Sequence, residues 1–136
     1  MALKVYLVED NELMRKHLMD SLSEEANIEW VGSAETEAEA KDWMERNPQG
    51  WDLAILDLFL REGTGAGVLR HCRSRSDRQD VLVMTNYPIS SLLTHCRLLG
   101  ANAVFDKSTE LSDLIAYCIG RAFRSTLPSS LQRSQA

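Results

Sequence analysis

The feature that most constrains the fold of this chain is a repeated alternation between short apolar runs and segments of helical periodicity. Five runs rich in β-forming residues are each followed by a segment in which apolar residues recur at helical spacing. These runs cover residues 3–8, 28–34, 53–57, 81–84 and 103–105. Consecutive parallel strands need a connecting element, and that element crosses in the right-handed sense. The alternation therefore predicts an α/β fold, doubly wound, with a parallel sheet covered by helices on both faces.

The helical segments predict where each crossover runs and where the domain ends. The predicted helices begin after Asn11, cover 36–47, follow a glycine-containing loop at 63–67, and cover 90–99 and 110–123. A chain of 136 residues is of the size of one domain. We assign residues 1–124 to that domain and residues 125–136 to a polar C-terminal tail, which is too short for a separate output domain.

Charge and cysteine content exclude several classes of protein. The net charge of −5 provides no general attraction to nucleic acid, and no apolar run has the length of a membrane span. The three cysteines are widely spaced, without a CxxC pair, which favours a thiol-reducing compartment over a zinc site. We expect a cytoplasmic protein with no direct nucleic acid binding and no membrane insertion.

Polar residues follow four of the five predicted strands. Glu9 and Asp10 follow the first strand, Asp57 ends the third, Thr85 ends the fourth and Lys107 follows the fifth. In open α/β sheets, ligands bind outside the carboxyl ends of the strands. We therefore expect these five side chains to converge on one edge of the sheet.

Their convergence has a chemical meaning. Three clustered carboxylates repel one another unless a cation lies among them, and oxygen ligands of this kind suit Mg²⁺. A lysine and a hydroxyl beside such a cation are suited to hold the oxygens of a phosphoryl group.

In these motifs the sequence resembles the receiver domain of bacterial two-component response regulators, over residues 3 to about 124. The matching pieces are Leu7-Val8-Glu9-Asp10-Asn11, Leu56-Asp57-Leu58 with Gly65, Met84-Thr85-Asn86, Gly100-Ala101 and Phe105-Asp106-Lys107-Ser108. Each piece alone is a weak signal, but together they occur in order and at successive strand ends. The resemblance is to single-domain members of the chemotaxis-regulator type, and it implies a flavodoxin-like sheet with strand order 2-1-3-4-5.

The resemblance also implies roles for individual residues. Asp57 accepts a phosphoryl group from a sensor histidine kinase or a histidine phosphotransfer protein, and Thr85 and Lys107 contact the phosphoryl oxygens. Glu9, Asp10 and Asp57 hold Mg²⁺, together with a loop carbonyl that we assign to Phe59. The expected function is that of a signalling phosphoacceptor and not of an enzyme. Phosphorylation is expected to alter binding of a downstream protein at a face formed by the fourth helix, fifth strand and fifth helix, residues 90–124.

The chain departs from the family pattern in four places. Glu9 stands where the family often has aspartate, and Asn86 is larger than the usual residue after the threonine. Arg61 and Ser108 occupy positions at which the family commonly has proline. Val104 occupies the position of the family's aromatic switch residue.

Two other functions remain open from the residues. One is an interaction module that keeps the fold without being phosphorylated, although such a module need not retain Asp57, Thr85 and Lys107. The other is a flavin-binding electron carrier, although Glu9 and Asp10 would repel a flavin phosphate that lacks a metal. A basic run at residues 70–78 is interpreted as a solvated helix end in preference to a partner site.

Overall fold

The computed structural model describes residues 2–128 and shows a five-stranded parallel sheet in the order β2-β1-β3-β4-β5. The strands are β1 (Leu3–Val8), β2 (Ile28–Ala34), β3 (Leu53–Asp57), β4 (Asp80–Thr85) and β5 (Ala103–Asp106). The helices are α1 (Glu12–Glu25), α2 (Glu37–Arg46), α3 (Gly65–His71), α4 (Ser90–Leu98) and α5 (Leu111–Ser125). The predicted fold class and strand order are confirmed. The predicted tail begins inside the last turn of α5, and its residues 129–136 lie outside the described part of the chain.

Alternation along the strands divides the core into two layers. In β1, Leu3, Val5 and Leu7 face one layer, while Tyr6 and Val8 face the other. The first layer is covered by α1 and α5, and the second by α2, α3 and α4. The central strands β3 and β4 are buried along their whole length, as expected of parallel strands that are covered on both faces.

Three helices, α1, α2 and α3, begin at side-chain caps that the sequence makes available. The side chain of Asn11 accepts a hydrogen bond from the Met14 N–H, and Thr36 and Thr64 cap α2 and α3 in the same way. At the other end of α4, Gly100 has φ +103°, a left-handed conformation that side chains other than glycine rarely adopt. These residues mark where the chain enters α1, α2 and α3 and where it leaves α4.

The interpretation of the basic run as a solvated helix end is wrong for Arg75. Helix α3 ends at His71, and Arg75 lies beyond it, where its guanidinium donates to the carbonyls of Gln79 and Gly100 at 2.7 and 2.6 Å. It also donates to the side chain of Asn102 at 2.8 Å. Arg75 thus ties the loop before β4 to the loop before β5, because a guanidinium offers several donors in a fixed plane.

Candidate functional site

The polar residues predicted at the strand ends lie at one edge of the sheet. β3 pairs with both β1 and β4, so Asp57 lies between the strand that leads to Glu9 and the strand that ends at Thr85. Lys107 follows β5, and its backbone N–H donates to the Thr85 carbonyl at 2.8 Å. Side-chain oxygens of Glu9, Asp10 and Asp57 all lie within 4.8 Å of one another.

Lys107 joins two of these carboxylates. Its Nζ donates to Asp57 Oδ2 at 2.8 Å and lies 2.6 Å from Glu9 Oε1, and all three residues are buried. Burial by itself lowers the pKa of Lys107, but the hydrogen bond with Asp57 and the pairing with Glu9 outweigh it, so that the pKa is raised. The ammonium therefore stays charged at the centre of the site.

Glu9 accepts hydrogen bonds through both its side chain and its backbone. Its Oε2 accepts a hydrogen bond from the Asn11 N–H at 2.9 Å, and its backbone carbonyl accepts one from Arg15 at 2.8 Å. Burial raises the pKa of the Glu9 carboxyl, the negative charge of Asp57 adds to the rise, and Lys107 and the Asn11 N–H oppose it. Glu9 is thus a buried carboxylate whose charged form is stabilised by Lys107 and by the Asn11 N–H.

Asp10 faces a different cation. Its Oδ2 accepts a hydrogen bond from the backbone N–H of Arg61 at 2.6 Å. The Arg61 side chain donates to the Asp10 backbone carbonyl at 3.0 Å, and its Nε lies 3.7 Å from Oδ2. Arg61 occupies the position at which we noted a departure from the family pattern, and the departure thus places a guanidinium against a predicted metal ligand.

The donor set fits a hard divalent cation. Three carboxylates converge, one ammonium offsets part of their charge, and carboxylate oxygens are the ligands that Mg²⁺ prefers. Glu9 Oε1 is buried and, within residues 2–128, receives no well-angled hydrogen bond, although the Lys107 ammonium is close to it. An added cation at this position would offset the negative charge of the three carboxylates.

Tyr87 contacts both Thr85 and Phe59. The buried Thr85 hydroxyl accepts a hydrogen bond from the Tyr87 N–H at 3.0 Å. The Tyr87 ring meets the Phe59 ring edge-on, with centroids 5.4 Å apart, and both rings are about half exposed, at 60% and 46%. The turn after β4 is thereby linked to the loop after Asp57.

The loop from Leu58 to Thr64 is closed at its base. The Gly65 N–H donates to the Leu58 carbonyl at 2.9 Å, and Phe59 and Thr64 form an antiparallel bridge. A Cβ atom on Gly65 would overlap the Asp57 carbonyl oxygen. Glycine at this position therefore permits α3 to start directly against the end of β3.

Glu37, the first residue of α2, holds the same loop from outside. Its Oε1 accepts a hydrogen bond from the Thr64 N–H at 2.8 Å, and its backbone N–H donates to the Glu62 carbonyl at 3.2 Å. Cβ atoms on Gly63 or Gly67 would overlap the Glu37 side chain. Two glycines thus leave the space that this carboxylate fills.

Sequence reasoning missed the contacts of Arg61 and Glu37. Arg61 carried a signal, because it stands in a place where the resemblance predicts proline. Glu37 carried none beyond its position in the first turn of a helix, where acidic residues are common for electrostatic reasons.

Comparison with known proteins supports this architecture. The family model of the response regulator receiver domain matches residues 5–118. The DNA-binding transcriptional activator DevR/DosR of Mycobacterium tuberculosis is 33% identical over 112 residues, which are 82% of this chain and 50% of that protein. The virulence transcriptional regulatory protein PhoP of Salmonella typhimurium is 36% identical over 83 residues, 61% of this chain and 35% of that protein. The chain thus spans about half the length, or less, of these relatives.

Solved structures show the same fold. The receiver domain of the putative response regulator NarL from Mycobacterium tuberculosis aligns with a TM-score of 0.77 at 21% identity, covering 90% of this chain and 97% of that one. The phosphorylated cyanobacterial phytochrome response regulator RcpA aligns with a TM-score of 0.73 at 25% identity, covering 88% and 91%. Because the family model matches more than four fifths of its length, this chain belongs to the receiver domain family of two-component response regulators.

Proposed function

We propose that this domain is a phosphoacceptor switch in which Asp57 receives a phosphoryl group from the histidine of a sensor kinase or a histidine phosphotransfer protein. The observation that carries the proposal is the buried Lys107 ammonium between Asp57 and Glu9. A lysine buried among carboxylates costs desolvation free energy, which a purely structural module would avoid with apolar residues.

The chemistry follows from the positions of these residues. A carboxylate oxygen of Asp57 attacks phosphorus in line, the P–N bond to histidine breaks, and the imidazole nitrogen keeps the electron pair. The phosphoryl oxygens then lie within reach of the Lys107 ammonium, which is already bonded to Asp57. The Thr85 hydroxyl, at the end of the neighbouring strand, supplies a further donor. The domain contributes positioning and charge, as in other phosphoryl transfers.

The residues that would hold Mg²⁺ are Asp10 and Asp57, with the Phe59 carbonyl and with Glu9 directly or through water. Mg²⁺ bound there would neutralise charge that develops on the transferring oxygens.

No helix within the described residues combines the length and apolar character that a membrane span requires.

Incubation of the full chain with a small phosphodonor, with and without Mg²⁺, tests the proposal by intact mass. We expect the mass of one phosphoryl group to be added only when Mg²⁺ is present, and Asp57→Asn to abolish the addition. Asp10→Asn should slow it strongly, because the variant loses a charged metal ligand. If the intact protein is not modified under any of these conditions, an interaction module that works without phosphorylation becomes the better interpretation.

A further inference from the structure

Arg61, which stands where the family commonly has proline, contacts the predicted metal ligand Asp10. It lies four residues after Asp57 and bonds to Asp10 through both its backbone and its side chain. The two residues differ in exposure, because 76% of the Arg61 side chain is exposed but only 15% of that of Asp10. The guanidinium therefore lies on the outer side of a mostly buried carboxylate, and most of its own surface faces solvent.

Arg61 also changes the charge that a cation would meet. When ionised, Glu9, Asp10 and Asp57 contribute three negative charges and Lys107 one positive charge, which leaves two negative charges at the centre. Arg61 reduces this excess to one. The attraction for a divalent cation falls accordingly, because the interaction is coulombic and acts over a few ångströms.

The guanidinium and a metal ion compete for the same group. Mg²⁺ requires near-octahedral coordination with oxygens at about 2.0–2.1 Å, which leaves little freedom for an oxygen that is also held by another cation. The backbone N–H of Arg61 occupies one direction of Oδ2, and Nε lies 3.7 Å from the same atom. A dication at Oδ2 would repel the guanidinium from this position.

Space and alternative partners are available for the displaced side chain. A wide surface depression of about 450 Å³ is lined by Asp10, Asn11, Glu12, Glu35 and Arg61. Glu12 and Glu35 supply carboxylates in its lining, although Glu35 is also paired with Arg15 at 3.2 Å. The guanidinium can therefore leave Asp10 without losing all negative neighbours.

We propose that the Arg61 side chain is a displaceable cation that lowers the affinity of this site for Mg²⁺ and leaves Asp10 when the metal binds. This inference rests on the metal site of the proposed function. In this role Arg61 is a positioning residue for Asp10, and it determines how much free Mg²⁺ the domain needs before phosphorylation.

Calorimetric titration of the full chain with Mg²⁺ alone tests the inference. Arg61→Ala keeps the backbone N–H and removes the guanidinium, and we expect it to bind Mg²⁺ about threefold to tenfold more tightly than the wild-type protein. Arg46→Ala is the matched control, because it removes another exposed arginine, one paired with Asp42 on α2. Its affinity should equal that of the wild type.

NMR gives a second measurement that does not depend on affinity. In the wild type, the Arg61 Nε–H signal should move toward that of a free arginine as Mg²⁺ saturates the site. The inference is wrong if Arg61→Ala binds Mg²⁺ no more tightly than the wild type, or if the Arg61 Nε–H signal does not change when Mg²⁺ is added. Either result would leave the proposal of a metal site standing. If none of the three proteins binds Mg²⁺, both the metal site and the inference are wrong.

Discussion

Two aromatic residues that closely follow Asp57 and Thr85 are large and about half exposed. Phe59 and Tyr87 meet edge-on, and they follow Asp57 and Thr85 by two positions each. Water that hydrolyses an acyl phosphate must approach phosphorus in line with the Asp57 oxygen. We expect two rings of this size, in contact with each other, to restrict that approach.

We therefore predict a long-lived acyl phosphate on Asp57. The double variant Phe59→Asn, Tyr87→Glu opens the path and supplies groups that can orient water, so its dephosphorylation should be about tenfold faster or more. The measurement is the decay of the phosphorylated species by intact mass after removal of the phosphodonor. Ile89→Asn, a change of another exposed apolar residue in the same loop, is the control. Equal decay rates in the wild type and the double variant would exclude steric shielding.

At the level of elements, α2 is attached to the loop after β3 through one carboxylate. Glu37 accepts a hydrogen bond from Thr64 and pairs with Lys41 one turn later in its own helix. The pairing with Lys41 and the Thr64 N–H lower the pKa of Glu37 below its ordinary value. The loop that carries Phe59 and Arg61 is thus tied to α2 by an ionised group.

This attachment predicts a pH-dependent stability. A carboxyl whose pKa is lower in the folded than in the unfolded protein stabilises the fold above the unfolded pKa of about 4.3, and the contribution is lost as the pH falls through the folded pKa. At pH 7 we expect Glu37→Gln to reduce the free energy of unfolding by about 1–2 kcal/mol. The difference from the wild type should shrink as the pH falls below about 4.3.

Urea unfolding at a series of pH values measures this difference. The control is Glu45→Gln, an exposed position of the same helix, whose curve should follow that of the wild type. A Glu37→Gln deficit that stays constant from pH 7 to acid would show that the charge of Glu37 does not stabilise the loop.

For the whole molecule, the aromatic rings near β5 bear on how phosphorylation of Asp57 would change the face formed by α4, β5 and α5. Val104 packs in the layer under α4, whereas Phe105 faces the opposite layer and meets Tyr117 of α5 edge-on at 6.4 Å. Val104 is β-branched and has few rotamers to exchange. The Tyr87 backbone N–H is bonded to the Thr85 hydroxyl, so we expect Tyr87 to be the ring that a movement of this hydroxyl displaces.

We predict that a phosphoryl mimic bound with Mg²⁺ changes NMR shifts most, beyond the site itself, at residues 87–99 and 103–105. Thr85→Ala should retain the changes near Asp57 and lose those at 87–99, whereas Thr85→Ser, which keeps the hydroxyl, should behave as the wild type. Changes centred on α1 and α2 would refute a switch face formed by α4, β5 and α5. The expected response is a shift of population between two arrangements and not a new fold.

The sequence alone determined the fold and the set of residues at the sheet edge. Runs of β-forming residues and helical periodicity are local properties, so they predicted the order of strands and helices before any contact was known. Strand ends also follow from local pattern, and parallel pairing then brings Glu9, Asp57 and Lys107 together. The resemblance to receiver domains added the strand order, which the structure confirmed.

Only the tertiary structure decided which groups the charged side chains contact. Arg61 and Asp10 are far apart in the chain, as are Glu37 and Thr64, and Arg75 and Gly100. Whether such pairs form depends on loop paths and on the room that glycines leave, neither of which has a period or a local composition to reveal it. Long, flexible side chains reach partners that only the folded backbone brings within hydrogen-bonding distance.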